Sequence, residues 1–451
     1  MIIPQPEEIS PSKVQPLDVV LFLLSGFGYV WLVYFVDRQS FVQVLSGFGA
    51  LFVCYLLLYK YRSTKIEMLI LWGLFFRGLL LFALPNLSDD FYRFLWDGEM
   101  INMGMNPFRH LPSELMSNST DFASTHQALF ENLNSPEYYT IYPPILQVIF
   151  ALSVFLFPSG PLWANVAVMK LIVLLAEWIS IVLIGKILHK LRFPRKGVLL
   201  YALNPLVIVE LTGNLHFEAL MICFLLAAFY YLLQERNIRS ALFFSLAVGA
   251  KLLPLMFLPL IMMKLGFRKA VRYYLRVALF TVLFFLPLWD VELLLNVWKS
   301  VNLYFQKFEF NASIYYIVRW VGYQLYDFNI IHAAGPWLSL VVLTGILLLS
   351  FNGRYSWKEL FEKVVLTFTI YLLCATIVHP WYISLLIAFC VFTPLRFPMI
   401  WSAMVVLSYA AYQSDTYEEN LWLVAIEYMV VIATLLWEIR KYYLLGLHLR
   451  R

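Results

Sequence analysis

Long apolar runs recur along the whole chain, at about 17–36, 41–59, 66–84, 142–157, 161–186, 198–212, 215–233, 240–263, 270–289, 333–351, 364–378, 381–395, 398–412 and 421–438. Most approach the roughly 20 residues that carry a helix across a bilayer. The alternation and turn spacing of a membrane β-barrel are missing. The pattern predicts an all-α polytopic integral membrane protein of about 12–14 transmembrane or partly spanning helices, forming one domain over 1–451. Several runs are short, and Pro143, Pro144, Pro205, Pro254 and Pro380 break or begin them. Partial crossings survive only where their backbone is buried in protein or lines a cavity, so the broken pattern points to a cavity.

Composition agrees. The 451 residues are 62% hydrophobic and 14% charged, against roughly 25% charged in a soluble domain. The net charge of +5 sits in short loops and reports orientation rather than nucleic-acid binding. The first residues, MIIPQPEEISPSK, lack the basic start and apolar core of a signal peptide. Cys54, Cys223, Cys374 and Cys390 all lie within apolar runs and read as small buried side chains.

Basic clusters orient the chain. Lys60, Arg62 and Lys65 form one, and Lys186, Lys190, Arg192, Arg195 and Lys196 a second. Lys264, Arg268, Lys269, Arg272 and Arg276 form a third, and the tail carries Arg440, Lys441, Arg450 and Arg451. The positive-inside rule places these in the cytoplasm. A first loop at 85–141 and a second at 290–332 then face outward, with the turns near His216 and His379 and the acidic loop SDTYEEN. Parity is strained. Runs 142–157 and 161–186 together return the chain to the outside, yet 186–196 is basic, so either one run does not cross or that loop breaks the rule. In the run 240–263, Lys251 would sit at mid-membrane on a single crossing; a hairpin with Lys251 near its outer tip removes the conflict.

Once oriented, the unusual polar residues share one face. Asp89, Asp90, Arg93 and Asp97 open the first loop. His216 and Glu218 lie in GNLHFEAL, Asn311 and Arg319 in the second loop, and His379, Trp381 and Tyr382 in HPWYISLL. Each has an ordinary explanation: helix capping for the acidic pair, snorkelling for Lys251, satisfied interfacial side chains for the histidines, and membrane-belt anchoring for the aromatics. Asn311 also fits a glycosylation sequon, NAS. Their shared side favours a composite site. The stretch DDFYRFLWDGEMINM predicts an amphipathic helix in the interface, stopped by Gly104 and Pro107 of GMNPF.

The series SDDFYRFLWDG…GMNPF, YPPILQ, LNPLVIVELTGNLHFEAL, AKLLPLMFLPL and HPWYISLL, spread in order over about 85 to 390, resembles the GT-C glycosyltransferases. It most resembles the mannosyltransferases that use polyprenyl-phosphate-mannose. Two extra apolar runs precede the acidic motif here, where many relatives have one. The resemblance implies a GT-C-like bundle with interfacial helices in its long outer loop. It implies inverting transfer of a sugar, mannose first, from a polyprenyl-phosphate donor to an acceptor hydroxyl on the outer face. The expected setting is a bacterial inner membrane, with the site toward the periplasm or exterior. In the family an acidic residue of the first outer loop is the base; here that is Asp90 or Asp89, with Asp90 preferred for its D-x-x-R spacing to Arg93.

One base suffices for one inverting displacement, and the leaving phosphate needs cationic donors. Lys251 stands first for that role, followed by Arg319, His379 and Arg93. Asp97, His216, Glu218 and Asn311 are candidates for sugar or acceptor contacts, or for holding the base. Trp381 and Tyr382 are candidates for packing on a sugar face or the first isoprene units. No dedicated metal ligands stand out, although adjacent carboxylates can hold a divalent cation through oxygen. The acceptor is a glycolipid, a polysaccharide or a protein, and no nucleic-acid partner is expected. Two other functions use similar material. A lipid-linked-sugar flippase predicts repeats between the two halves, which are not found. An oligosaccharide polymerase or ligase leads its outer loops with Arg and His rather than an Asp pair.

Overall fold

The computed structural model describes residues 14–444 except 62–63, 119, 159, 352, 354 and 415–416. The N-terminal stretch to Lys13, Arg62, Arg450 and Arg451 therefore lie outside the described residues. Six described helices are long and apolar enough to cross a membrane: Pro16–Tyr34, Phe41–Tyr61, Leu162–Lys190, Phe267–Leu288, Ile331–Ser350 and Leu421–Tyr442. A pair bent by 49°, Arg195–Ala202 with Pro205–Gly213, adds a broken span. Six shorter apolar helices complete the bundle, among them Glu218–Leu233, Asn237–Ala250 and Pro380–Cys390. The expectation of an all-helical polytopic membrane protein with partial spans holds.

The breaks have local causes. Asn204 accepts a hydrogen bond from Val207 N at 3.2 Å just before Pro205, which restarts the chain as a new helix. The helix Asn237–Ala250 ends because Lys251 turns extended, with φ −159° and ψ 139°. After Lys251 the chain descends again through Leu253–Phe257 and Leu258–Leu265. This is the hairpin expected around Lys251. Its tip meets the start of Glu218–Leu233, because that helix runs antiparallel to Asn237–Ala250 and packs along it.

Successive segments alternate between two ends. One end gathers the basic residues. There Arg195 pairs with Glu67, Lys196 lies over Tyr59 and Lys186 over Tyr230, while Lys269, Arg272 and Arg276 surround a small cavity. The other end holds the two long loops. The strained parity resolves by length. Pro144–Leu156 has 13 residues, which at 1.5 Å each extend about 20 Å and do not span a core of about 30 Å. Leu162–Lys190, with 29 residues, is long enough to cross alone and ends among the basic residues.

The helix after the acidic pair, Asp90–Asn102, turns its apolar residues into the protein. Phe91, Phe94, Leu95, Trp96 and Met100 are all buried. On one side it packs against Pro144–Leu156 so closely that a Cβ on Gly98 would lie 2.5 Å from the Phe150 carbonyl oxygen. On the other, Trp96 meets Phe122, His126 and Phe130 of the helix Thr120–Phe130. The turn after it does use Gly104, at φ +76°, as the stop signal required. The two long loops meet: Asn106 donates to the Leu288 carbonyl at 3.0 Å, and Asn296 to that of Phe108 at 3.1 Å.

Candidate active site

The acidic pair opens the helix Asp90–Asn102, yet Asp89 makes no capping hydrogen bond. Its carboxylate turns instead to Arg38, 2.5 Å away, on the turn between the first two helices. Asp90 points elsewhere. Its Oδ1 accepts a hydrogen bond from Asn134 Nδ2 at 2.9 Å, and it faces Glu218 and Lys251. Burial, more than any neighbour, pushes the Asp90 carboxyl up to about 6; Asn134 and Lys251 oppose that shift, and Glu218 and Asp89 add to it. A carboxylate tuned in this way still ionises at neutral pH but holds a proton more strongly than an exposed one, as a general base requires.

Lys251 reaches the same place from the hairpin tip. Its ammonium pairs with Glu218 and sits 4.4 Å from the centre of the Tyr382 ring, with about a third of the side chain still exposed. Snorkelling would leave the amine in water; here it is held by a carboxylate and a π face. The aromatic residues near His379 gather beside it. The His216 ring stacks on Trp381 at 3.6 Å, and His379 stacks on the same indole at 4.3 Å. Two rings lying parallel to one indole at those distances would collide on a single face, so they cover opposite faces. Trp381 therefore has no open face for a sugar, contrary to expectation, and being 7% exposed it is not a membrane-belt anchor. Tyr382 keeps a polar contact instead, under Lys251. His379 is pushed down to about 3 by burial and by the Lys251 charge, so it is neutral and offers hydrogen bonds rather than charge to a phosphate. His216 is likewise held neutral by burial.

The remaining candidates go to other tasks. Arg93, expected at the phosphate, is 3% exposed. It donates to Asp97 at 2.8 Å and to the carbonyls of Ser135 and Tyr138 at 3.0 and 2.9 Å. Asp97, expected either at the sugar or holding the base, is fully buried and accepts from Thr140 at 2.5 Å and Gln147 at 2.9 Å. Through these bonds inside the protein, the pair ties the loop carrying Asn134 to the helix carrying Asp90. Asn311 is fully buried too. It stands at φ +48°, with its N–H donating to Glu419 at 2.6 Å and its side chain to Glu427 at 3.2 Å. Held by these contacts, it pins the second loop to the last helix. Arg319 pairs with Glu309 and covers Tyr316 at 4.2 Å. It borders a cavity of about 380 Å³ with Tyr417, Glu418 and Glu419; Asp90 is not among its lining residues.

Sequence reasoning missed Arg38, Asn134 and Glu210. Glu210 accepts from the Tyr409 hydroxyl and from Asn214 at 3.3 Å, with His216 Nε2 at 3.6 Å. Asn214 in turn accepts from Leu87 N at 3.3 Å, just ahead of the acidic pair. A signal existed for Glu210: a carboxylate inside an apolar run is a functional or structural marker by default. For Arg38 and Asn134 there was none beyond their loop positions. Among the described residues no group of three or more His, Cys, Asp or Glu side chains is arranged to hold a metal ion. The four cysteines are buried and unbridged.

Residues 23–266 match the family model described as alpha-(1->6)-mannopyranosyltransferase, N-terminal domain. No curated protein and no solved structure gives a significant match. The matched stretch contains Arg38, the acidic pair, Asn134, His216, Glu218 and Lys251. The chain is thus a membrane mannosyltransferase of the GT-C type and belongs to the alpha-(1->6)-mannopyranosyltransferase family.

Proposed function

We propose that the protein transfers mannose from a polyprenyl-phosphate donor to an acceptor hydroxyl, with inversion, on the face of the membrane opposite its basic clusters. The observation that carries this reading is the position of Asp90. Its half-buried carboxylate has a raised pKa, faces a lysine and lies at the end of the bundle away from the basic residues. That end is the outer one by the positive-inside rule.

In the step itself the acceptor oxygen attacks the anomeric carbon while its proton passes to Asp90. The bond from that carbon to the phosphate oxygen breaks, and its electron pair leaves with the lipid phosphate. Lys251 meets the charge that grows there, an interaction stronger in the transition state than before it. Inversion yields an α product only from a β-linked donor, so the α-(1->6) linkage in the family description favours a β-mannosyl phosphate here. Arg93 and Asp97 position Asn134 and the base. The scarcity of soluble structure favours a donor carried by lipid over a nucleotide sugar.

The test is transfer by purified protein from labelled polyprenyl-phosphate-mannose, compared with a nucleotide-linked mannose. Turnover with the lipid donor alone, lost in Asp90→Asn while the variant stays folded, supports the proposal. Turnover with the nucleotide donor, or an active Asp90→Asn, rejects it.

A further inference from the structure

The family match and the geometry around Asp90 leave one question open: why two adjacent carboxylates yield a single base. The turn between the first two helices supplies an answer. Arg38 Nη1 lies 2.5 Å from Asp89 Oδ2, with both side chains about one-third exposed. The guanidinium also sits 5.4 Å from the centre of the Tyr412 ring. The turn is held from the acidic segment itself: Asn86 Nδ2 donates to the carbonyls of Leu32 at 3.1 Å and Val36 at 2.7 Å. Asp37 closes the turn, accepting from Gln39 N at 2.9 Å and from Ser40 N at 2.9 Å. Thus the residues just before Asp89 fix the residue that binds Asp89. The two carboxylates are turned to different partners, Asp89 to Arg38 and Asp90 to Asn134.

We infer that Arg38 is a positioning residue for mannosyl transfer: it holds and neutralises Asp89, leaving Asp90 as the member of the pair that takes the acceptor's proton. The inference rests on Asp90 being the base. Its physics is local. An uncompensated carboxylate beside Asp90 disfavours ionisation of Asp90, and a cation on that neighbour removes the penalty. The charged and titratable groups facing Asp90 are Glu218 from one helix start, Lys251 from the hairpin tip, and Asp89 from its own helix cap; Tyr412 and Tyr417 face both Asp90 and Arg38. Of these, Asp89 is the one whose charge Arg38 controls directly.

The experiment is the pH dependence of kcat for the full-length purified protein, with polyprenyl-phosphate-mannose as donor. In Arg38→Ala the acidic limb moves to higher pH by about half a unit, because the Asp89 charge is no longer balanced. In Asp89→Asn it moves the other way, since Arg38 then acts on Asp90 unopposed. The double variant Arg38→Ala/Asp89→Asn returns toward the wild-type position, and Arg38→Lys stays close to it. A limb that stays fixed in Arg38→Ala while donor KM rises tenfold overturns the inference and makes Arg38 a donor-phosphate ligand. So does a double variant displaced as far as Arg38→Ala. Should Arg38→Ala fail to fold, Asp89→Asn alone decides, and an unmoved limb there rejects the inference. An active Asp90→Asn would remove the base assignment itself, an outcome separate from all of these.

Discussion

Two charged regions of this mostly apolar protein invite comparison. In the bundle interior Arg77, fully buried, donates to Glu177 at 2.8 Å and to the carbonyls of Gly73 and Ala202 at 2.9 and 2.7 Å. Nearby, Lys170 donates to the carbonyls of Leu80, Ala83 and Gly213 at 3.1, 2.7 and 2.6 Å. These charges are sealed and occupied. They join the helix Ile66–Leu79 to the broken span and supply partners for carbonyls at helix ends and breaks, which an apolar environment cannot do. Around Asp90 the charges are only partly enclosed. Asp90 is half-buried, with Asn134 as its side-chain hydrogen-bond partner; Lys251 is a third exposed. A sealed charge stabilises a fold, whereas a charge with surface and capacity left over can act on a substrate.

That contrast can be broken experimentally. The largest effect is expected at Asp90→Asn: a fall in kcat of about 10²–10⁴-fold, with the melting temperature in detergent close to wild type. Arg77→Ala should do the reverse. It leaves Glu177 unpaired in the interior and destabilises by about 3–5 kcal/mol, read as a lower melting temperature, while the fraction that remains folded keeps its activity per molecule. Equal melting temperatures for Arg77→Ala and wild type would end the distinction. Lys251→Ala, which removes a cation whose charge acts on the base, should lower kcat by about 10²–10³-fold and leave the hairpin in place; a change confined to KM would show that Lys251 binds donor and transition state alike.

A smaller effect is expected from pH. Asp90 must be ionised to accept a proton, and its carboxyl is raised to about 6. Activity is therefore full above that pH and falls as pH drops through about 6; a limb near 4 would mean an unperturbed carboxylate is the base. Smallest of all is Arg195→Ala. Its pair with Glu67 lies at the basic end with both side chains more than half exposed, so the loss should be within about 1 kcal/mol, measured by thermal unfolding. A larger loss would show that exposure does not separate the two classes of charge.

Some of the site was legible before any coordinates. Lys251 betrayed itself because a lysine in the middle of an apolar run between two basic loops has no stable place on a straight crossing. The acidic pair, His216, Glu218 and His379 stood out for falling on one side once the basic loops were oriented. Arg93, Asp97 and Asn311 make contacts within the protein, and for all three the sequence left the same ambiguity. Polarity in an apolar chain marks a group that must be satisfied, and sequence does not say whether a substrate or a neighbouring carbonyl satisfies it. Trp381 was misread because an aromatic side chain has two faces and only packing tells whether either is free. Arg38 was passed over because a lone arginine in a six-residue interval between helices, 35–40, resembles any orientation signal.

By itself the sequence determined the class of protein, the alternation of its segments, the end at which the polar groups gather and the family they resemble. Those properties follow from hydropathy, charge placement and proline, which act over short stretches of chain. Tertiary structure decided which carboxylate meets the lysine, which is neutralised by Arg38, and which charges are sealed. Each of those outcomes depends on distances between residues tens to hundreds of positions apart, and Coulomb and hydrogen-bond energies are set by distances that no local pattern encodes.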